Sequence, residues 1–243
     1  YSARMSSGPE RVLVLLPNWL GDVVMATPML RVLAARLPGT AIDVAGPQPA
    51  CEMVRGLPYV RGMHPIEDRR GLMSTFATGA LLRQHRYDVA VVLPHSFRSA
   101  LVARISGARQ RIGQDRNGRA KLLTVLVPPH RENGNIVPEY MTREYLRVVE
   151  PLGCADDGRG LELVADEIAI SFLRSKITDE GPLVGIAPGA AFGPSKRWLP
   201  DRYAQVADRL REETGVRCVL LTGPGEEDTR EAVFERFGRP PMP

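Results

Sequence analysis

Short apolar runs alternate with amphipathic patterns from one end of the chain to the other. The apolar runs predict buried strands, and apolar positions that recur every three to four residues predict the helices between them. This alternation is typical of βαβ units and a parallel sheet, so we predict the α/β class. The predicted strands cover residues 12–16, 41–45, 60–64, 87–93, 122–127, 183–187 and 217–222, and the longer predicted helices end near residues 37, 84, 105, 149, 176, 213 and 237.

Two stretches interrupt this pattern. Residues 107–119 are rich in Arg, Gly and Gln, and we predict a loop there on the ligand side of the sheet. The sequence GCADDGRG at 153–160 predicts a linker, which divides the chain into domains 9–155 and 156–243. Two clear strands are fewer than the about four to six of a typical sheet. We therefore expect the second domain to be incomplete and the chain to be a fragment.

Composition narrows the classes of protein. Of 243 residues, 44% are hydrophobic and 25% charged, which is typical of soluble globular proteins. The net charge of +4 is compatible with an anionic ligand. The sequence lacks a basic stripe with interleaved aromatic residues, the pattern typical of nucleic-acid-binding proteins, so we expect no nucleic-acid partner. Three cysteines and four histidines show no metal-ligand spacing, so we expect unpaired thiols and no metal. With no apolar run of signal-peptide or membrane-spanning type, we expect a cytoplasmic protein.

The junction Leu20-Gly21-Asp22 lies between the first strand and its helix, at the edge where open parallel sheets bind ligands. Gly21 permits a close approach of ligand to backbone. Asp22 either favours the helix N-terminus electrostatically or does chemistry above the sheet, and the spacing leaves both open. Pro28 removes a backbone donor, from which we expect a distorted first turn. The absence of GxGxxG disfavours a dinucleotide cofactor.

Two loops in the second half follow predicted strands and could bind a nucleotide. In APGAAFGPSKRW, at 187–198, small residues let amides approach a phosphate and Lys196 would add a positive charge. A solvated surface loop explains this stretch equally well. At 222–227, TGPGEE opens a helix, and its acids could accept hydrogen bonds from ribose or merely favour the helix N-terminus. Neither loop has P-loop spacing.

Polar residues also follow the fourth strand and continue into the predicted loop. Arginines at that edge could bind an anionic acceptor through two hydrogen bonds each, although such charged loops are commonly only solvated. The group consists of His95, Ser96, Arg98, Arg111, Asp115, Arg116 and Arg119.

Three of these segments together resemble glycosyltransferase family 9, the ADP-heptose:lipopolysaccharide heptosyltransferases. They are LGDVVMATPMLR at 20–31, VLPHSFRSAL at 92–101 and APGAAFGPSKRW at 187–198, in the family's order. The resemblance implies the GT-B architecture, in which two Rossmann-like domains with parallel sheets face each other across a cleft. It also implies transfer of L-glycero-D-manno-heptose from ADP-heptose to the lipopolysaccharide inner core, with inversion and without a metal or other cofactor.

The resemblance also implies roles for individual residues. Asp22 matches the general base that deprotonates the acceptor hydroxyl. Lys196 matches a contact to the nucleotide phosphates, and Glu227 matches a contact to the ribose. Arg98 and Arg119 are implied as contacts to acceptor phosphates. The donor-binding set that the resemblance implies is Gly21, Ala191, Phe192, Lys196, Gly223 and Glu227.

One family motif is missing. The family carries Asp-Ser/Thr-Gly-x-x-His on its second domain, and no such motif follows Gly225, which again leads us to expect truncation. We further expect a monomer, with peripheral contact to the inner membrane left open. Two alternatives remain open: a truncated or degenerate nucleotide-sugar-binding protein without activity, and a nucleotide-sugar epimerase of the same architecture.

Overall fold

The computed structural model describes residues 8–67, 71–177, 181–190 and 194–238. Its elements are β1 (Arg11–Leu15), α1 (Leu20–Arg36), β2 (Ala41–Gly46), α2 (Gln48–Met53), β3 (Val60–Pro65), α3 (Leu72–Arg83), β4 (Val89–Val92), α4 (Phe97–Ile105), β5 (Gln110–Gln114), β6 (Val125–Val127), β7 (Arg131–Glu132), β8 (Asn135–Ile136), α5 (Met141–Val149), α6 (Glu167–Lys176), β9 (Leu183–Ile186), α7 (Pro200–Thr214), β10 (Arg217–Leu220) and α8 (Glu227–Phe234).

The first of two compact units, Tyr1–Ile170, is built on a six-stranded parallel sheet in the order β3-β2-β1-β4-β5-β6. Alternate residues of β1 point to the two sides. Val12 and Val14 belong to the core under α1 and α5, and Leu13 and Leu15 belong to the core under α3 and α4. The order reverses between β1 and β4, so the chain leaves these neighbouring strands toward opposite faces. A crevice at their carboxyl ends follows from this topology.

Strand β5 corrects the loop predicted at 107–119. Residues Gln110–Gln114 pair with β4 on one side and β6 on the other. The strand carries a single large apolar residue, Ile112, and Arg111 beside it is 9% exposed. The Arg111 guanidinium donates to the carbonyls of Ala108 (2.6 Å) and Leu122 (2.8 Å). Because backbone oxygens satisfy this buried cation, the strand needs no apolar run, and the pattern did not show it.

Helix α1 runs through Pro28 without a break, so the predicted distortion of its first turn is wrong. The amide of Val23 donates to Trp19 O at 3.0 Å, a regular first bond. Pro28 has no N–H for the carbonyl of Val24. The Thr27 hydroxyl donates to that oxygen instead, at 2.8 Å. The Thr27 hydroxyl therefore replaces the hydrogen bond that Pro28 cannot donate, and the helix stays continuous.

The segment that follows α5 packs against α1 through Arg31. The side chain of Arg31 is 7% exposed and donates to both carboxylate oxygens of Asp157, at 2.7 and 2.8 Å. It also reaches Glu162 (3.1 Å) and the carbonyl of Gly160 (3.0 Å). The first unit accordingly extends to Ile170, beyond the boundary predicted after residue 155, because the predicted linker is tied to the first sheet's helices.

The second unit, Ser171–Pro243, contains a two-stranded parallel sheet of β9 and β10 with α7 and α8. Its small core is formed by Ile186, Ala207 and Cys218. Across the described ranges, no helix combines the length and apolar character needed to cross a membrane.

Helices α3 and α4 approach closely at Gly79. A Cβ atom there would lie 2.5 Å from Ile105 Cβ and 3.3 Å from Val102 O. We expect Gly79→Ala to lower the free energy of unfolding by about 1–2 kcal/mol, because overpacking exceeds the gain in helix propensity. Urea denaturation measures this. The matched control is Gly21→Ala in α1, where a Cβ meets nothing within 4 Å and no loss of stability is expected. Equal losses in both variants would contradict the packing argument.

Candidate active site

A cavity of about 110 Å³ occupies the crevice at the carboxyl ends of β1, β2 and β4. Its wall combines apolar strand ends with polar loop residues, the composition of a small-molecule site. Arg98 is the cationic side chain among the lining residues, and Glu67 the anionic one. The cavity is lined by Leu15, Leu16, Asn18, Ala45, Gly46, Pro47, Ile66, Glu67, Pro94, Ser96, Arg98, Ser99 and Val102.

Asp22 lies in the first turn of α1, one helical turn after Asn18 of the cavity wall. It is partly exposed, and Gly21 before it has open space where a side chain would be. The unpaired amides of a helix N-terminus stabilise negative charge at this position. A carboxylate beside a crevice is suited to accept a proton from a bound hydroxyl.

Helix α5 places Tyr145 within reach of the charge of Asp22. Burial raises the pKa of Tyr145, and the negative charges of Asp22 and Glu144 raise it further. Tyr145 is 2% exposed.

Glu144 is held by His95, which follows β4. Their Nε2 and Oε1 atoms are 2.5 Å apart, and Arg116 Nη1 is 3.4 Å from His95 Nδ1. Burial alone would raise the pKa of Glu144, but the hydrogen bond and charge of His95, with the charge of Arg116, lower it below its usual value. The sequence placed His95 and Arg116 among candidate polar residues and missed Glu144. The available signal was one acidic residue on the buried face of a predicted helix.

The two predicted acceptor arginines have different positions. Arg98 lies in the first turn of α4, lines the cavity and donates to Ser74 Oγ at 3.3 Å. Arg119 is fully buried, and burial lowers its pKa to about 10. It donates to the carbonyls of Gln114 (3.0 Å) and Pro94. In this structure Arg119 supports the cavity wall from behind, and its contact with an acceptor stays a prediction.

In the second unit, the loops after β9 and β10 are neighbours because these strands pair. A side chain at Gly189 would overlap the carboxylate of Glu226, one of the two acids of the TGPGEE loop. Glu226 accepts from the amide of Gly223 at 2.8 Å, and Glu227 accepts from that of Gly225 at 3.3 Å. Hydrogen bonds from its own amide and from that of Gly225 lower the pKa of Glu227.

The remaining predicted donor residues lie in the loop after β9. Lys196 is exposed and ends a short 3₁₀ turn, Pro194–Lys196. Ala191 and Phe192 fall outside the described residues. Among the described residues, no hydrogen bond or ion pair connects Lys196 with Glu227. The roles of both residues in donor binding stay predictions.

A doubly wound parallel sheet with a polar crevice at its switch point, followed by a second α/β unit, is an arrangement of the GT-B type. Residues 75–237 match the family model for glycosyltransferase family 9 (heptosyltransferase). The chain belongs to this family, as its three motif segments had indicated.

Individual relatives agree with this assignment. The chain is 32% identical over 219 residues to lipopolysaccharide heptosyltransferase 2 of Escherichia coli K12, covering 87% of this chain and 63% of that protein. It resembles the structure of E. coli ADP-heptose lps heptosyltransferase II with a TM-score of 0.77 and 28% identity, over 94% of this chain and 69% of that one. A Veillonella parvula glycosyl transferase of family 9 shares the fold, with a TM-score of 0.82 at 23% identity, over 96% and 68% of the two chains. The chain spans about 63% of the length of the curated E. coli relative.

Proposed function

We propose that the protein transfers L-glycero-D-manno-heptose from ADP-heptose to the inner core of lipopolysaccharide. The observation that carries the proposal is the position of Asp22: a carboxylate at a helix N-terminus, beside the switch-point crevice, in a chain of the heptosyltransferase family. We assign acceptor binding to the first unit, Tyr1–Ile170, and nucleotide-sugar binding to the second, Ser171–Pro243.

Asp22 acts as the general base in this proposal. The acceptor hydroxyl oxygen attacks the anomeric carbon while its proton passes to the Asp22 carboxylate. The bond from that carbon to the diphosphate oxygen breaks, ADP leaves, and the configuration inverts. Arg98, as a charged side chain in the cavity wall, is suited to bind an acceptor phosphate. No metal is needed for this route.

The donor contacts are proposed for the loops after β9 and β10. Lys196 neutralises charge that develops on the leaving diphosphate, and Glu227 accepts hydrogen bonds from the ribose. The close approach of Gly189 to the Glu226 carboxylate shows that the two loops are adjacent, which supports one nucleotide site built from both.

Nucleotide titration tests the donor half. We expect the protein expressed from its full reading frame to bind ADP more tightly than UDP by calorimetry, and Lys196→Ala to weaken ADP binding by about tenfold, since it removes a charge-assisted contact. The matched control is Arg202→Ala, an exposed cation on α7 that pairs with Gln205. Equal affinity for ADP and UDP, or equal losses in the two variants, would overturn the donor assignment.

Peripheral contact with the inner membrane is a further part of the proposal. On α3, Leu72, Met73, Phe76 and Leu81 are 70%, 88%, 53% and 53% exposed. Apolar surface of this kind gains free energy by leaving water. We expect sedimentation with anionic phospholipid vesicles to be lost on replacing both Met73 and Phe76 by Ser, and kept in Leu163→Ser, which alters an exposed leucine outside α3. Equal binding by all three proteins would contradict a role for α3.

A further inference from the structure

A second polar cluster lies in the first unit, apart from Asp22. It surrounds the carboxylate of Asp43, which is 2% exposed on β2. His64 comes from β3 and His85 from the turn after α3, and their ring centroids are 4.4 Å apart. One ligand atom each from Asp43, His64 and His85 lies within 4.8 Å of the other two.

The absence of a side chain at Gly62 leaves space for the Asp43 carboxylate. Gly62 lies opposite it on β3, where a Cβ atom would come within 2.6 Å of Asp43 Oδ1. The hydroxyl of Tyr87 donates to Asp43 Oδ2 at 2.8 Å and is 2.9 Å from His64 Nε2. A carboxylate, two imidazoles and a phenol oxygen thus converge on one point. Ligands of a tetrahedral Zn²⁺ at about 2.1 Å are about 3.4 Å apart, so small side-chain movements would close the cluster on an ion.

We propose that Asp43, His64 and His85 bind a divalent transition-metal ion of the zinc type. Two imidazoles and a carboxylate suit Zn²⁺ better than Mg²⁺ or Ca²⁺, which prefer oxygen ligands. The ion ties β2, β3 and the turn after α3 together. His64 comes two residues before Ile66 and three before Glu67 of the cavity wall, so the ion stabilises the strand end that carries them.

Arg11 competes for the same carboxylate. Its Nη2 atom is 3.0 Å from Asp43 Oδ2, and its side chain is 41% exposed. A cation bound to Asp43 repels the guanidinium, which can turn into solvent. Removing this charge therefore strengthens metal binding, an effect that adsorption of metal by scattered surface histidines would not show.

Titration with Zn²⁺, and with Co²⁺ for its visible absorption, tests the site in the purified protein without substrate. We expect one bound ion per chain with tetrahedral Co²⁺ bands, and a melting temperature that rises with Zn²⁺. Loss of a residue that only hydrogen-bonds a metal ligand weakens metal binding by about tenfold, and His85→Ala should weaken it by more than that. Arg11→Gln should tighten metal binding. His130→Ala is the matched control, because His130 lies near Glu132 outside the cluster.

Circular dichroism of His85→Ala checks that its fold is kept. Arg11→Gln is expected to increase metal binding, a result that unfolding of the variant could not produce. Binding that is unchanged in His85→Ala, or reduced equally in His130→Ala, would overturn the proposal. Weaker binding in Arg11→Gln would do so as well. Because no substrate is used, these outcomes are independent of the proposed transfer reaction.

Discussion

Asp22→Asn is expected to lower kcat for heptosyl transfer by about 10³-fold, while ADP binding stays unchanged. The amide keeps the shape of the carboxylate and its place in the first turn of α1, but it cannot take the proton from the acceptor hydroxyl. General-base catalysis by a positioned side chain contributes about 10²–10⁴-fold, so the loss should fall in that range. Steady-state rates with ADP-heptose, together with ADP titration, measure both quantities.

The same substitution separates catalysis from helix stabilisation. A first-turn carboxylate contributes about 0.3–1 kcal/mol through the helix dipole, so Asp22→Asn should change the melting temperature only slightly. Glu167→Gln is the matched control, since Glu167 is an exposed acid in the first turn of α6. A variant at Asp22 with the kcat of the unchanged protein and a reduced melting temperature would show that the residue only stabilises its helix.

Arg31→Met is expected to lower the free energy of unfolding by about 3 kcal/mol. Methionine keeps most of the volume but leaves Asp157 and Glu162 without their cation, and loss of one partner of a buried pair costs about 3–5 kcal/mol. The lower end applies because these carboxylates are 31% and 26% exposed. Denaturant unfolding gives the value. Asp157 also accepts from the Arg159 amide and Glu162 from the Tyr59 hydroxyl, and these bonds persist in the variant.

The control for Arg31 lies on the same helix. Arg36 is exposed and donates to the carbonyl of Gly153 at 3.2 Å, so Arg36→Met should cost well under about 1 kcal/mol. If Arg31→Met were as mild as Arg36→Met, the segment 157–162 would not depend on Arg31 for its position.

The family motif at 20–31 thus divides into two parts. Gly21 and Asp22 come shortly after Asn18 of the crevice wall, whereas Thr27 and Arg31 hold the segment that follows α5. Thr27 Oγ1 accepts from the amide of Glu162 at 3.0 Å, next to the bonds of Arg31. In the sequence the motif is one unit. Only the fold shows that its second half binds the segment 157–162 to α1.

Sequence patterns predicted those elements whose burial rests on apolar side chains. The strands β1 and β4 and the apolar face of α1 are confirmed because Val, Leu and Ala recur there at strand or helical spacing. Strand β5 was missed because its buried Arg111 is satisfied by backbone oxygens, an arrangement that local periodicity cannot show. The contact of Glu144 with His95, and of Asp43 with two histidines, joins residues far apart in sequence. Spacing rules do not detect such pairs.

In the candidate site, too, the features that depend on local pattern were predictable and the contacts between distant residues were not. The edge of the sheet that carries Asp22 and Arg98 was predictable, since a strand followed by a helix fixes which end of each loop faces the crevice. The burial of Arg119 was not, because a charged residue in a Gly-rich stretch has the same local pattern whether it is solvated or paired inside.

The most direct test of the account is a transfer assay on the protein expressed from its full reading frame. The assay supplies ADP-heptose and a lipopolysaccharide core that lacks its terminal heptose, and mass spectrometry and NMR follow the product. The account predicts one added heptose per acceptor with inverted configuration, one ADP released per transfer, and no product above background with Asp22→Asn. Transfer with retained configuration, ADP release without a glycosylated acceptor, or equal product from Asp22→Asn would contradict it.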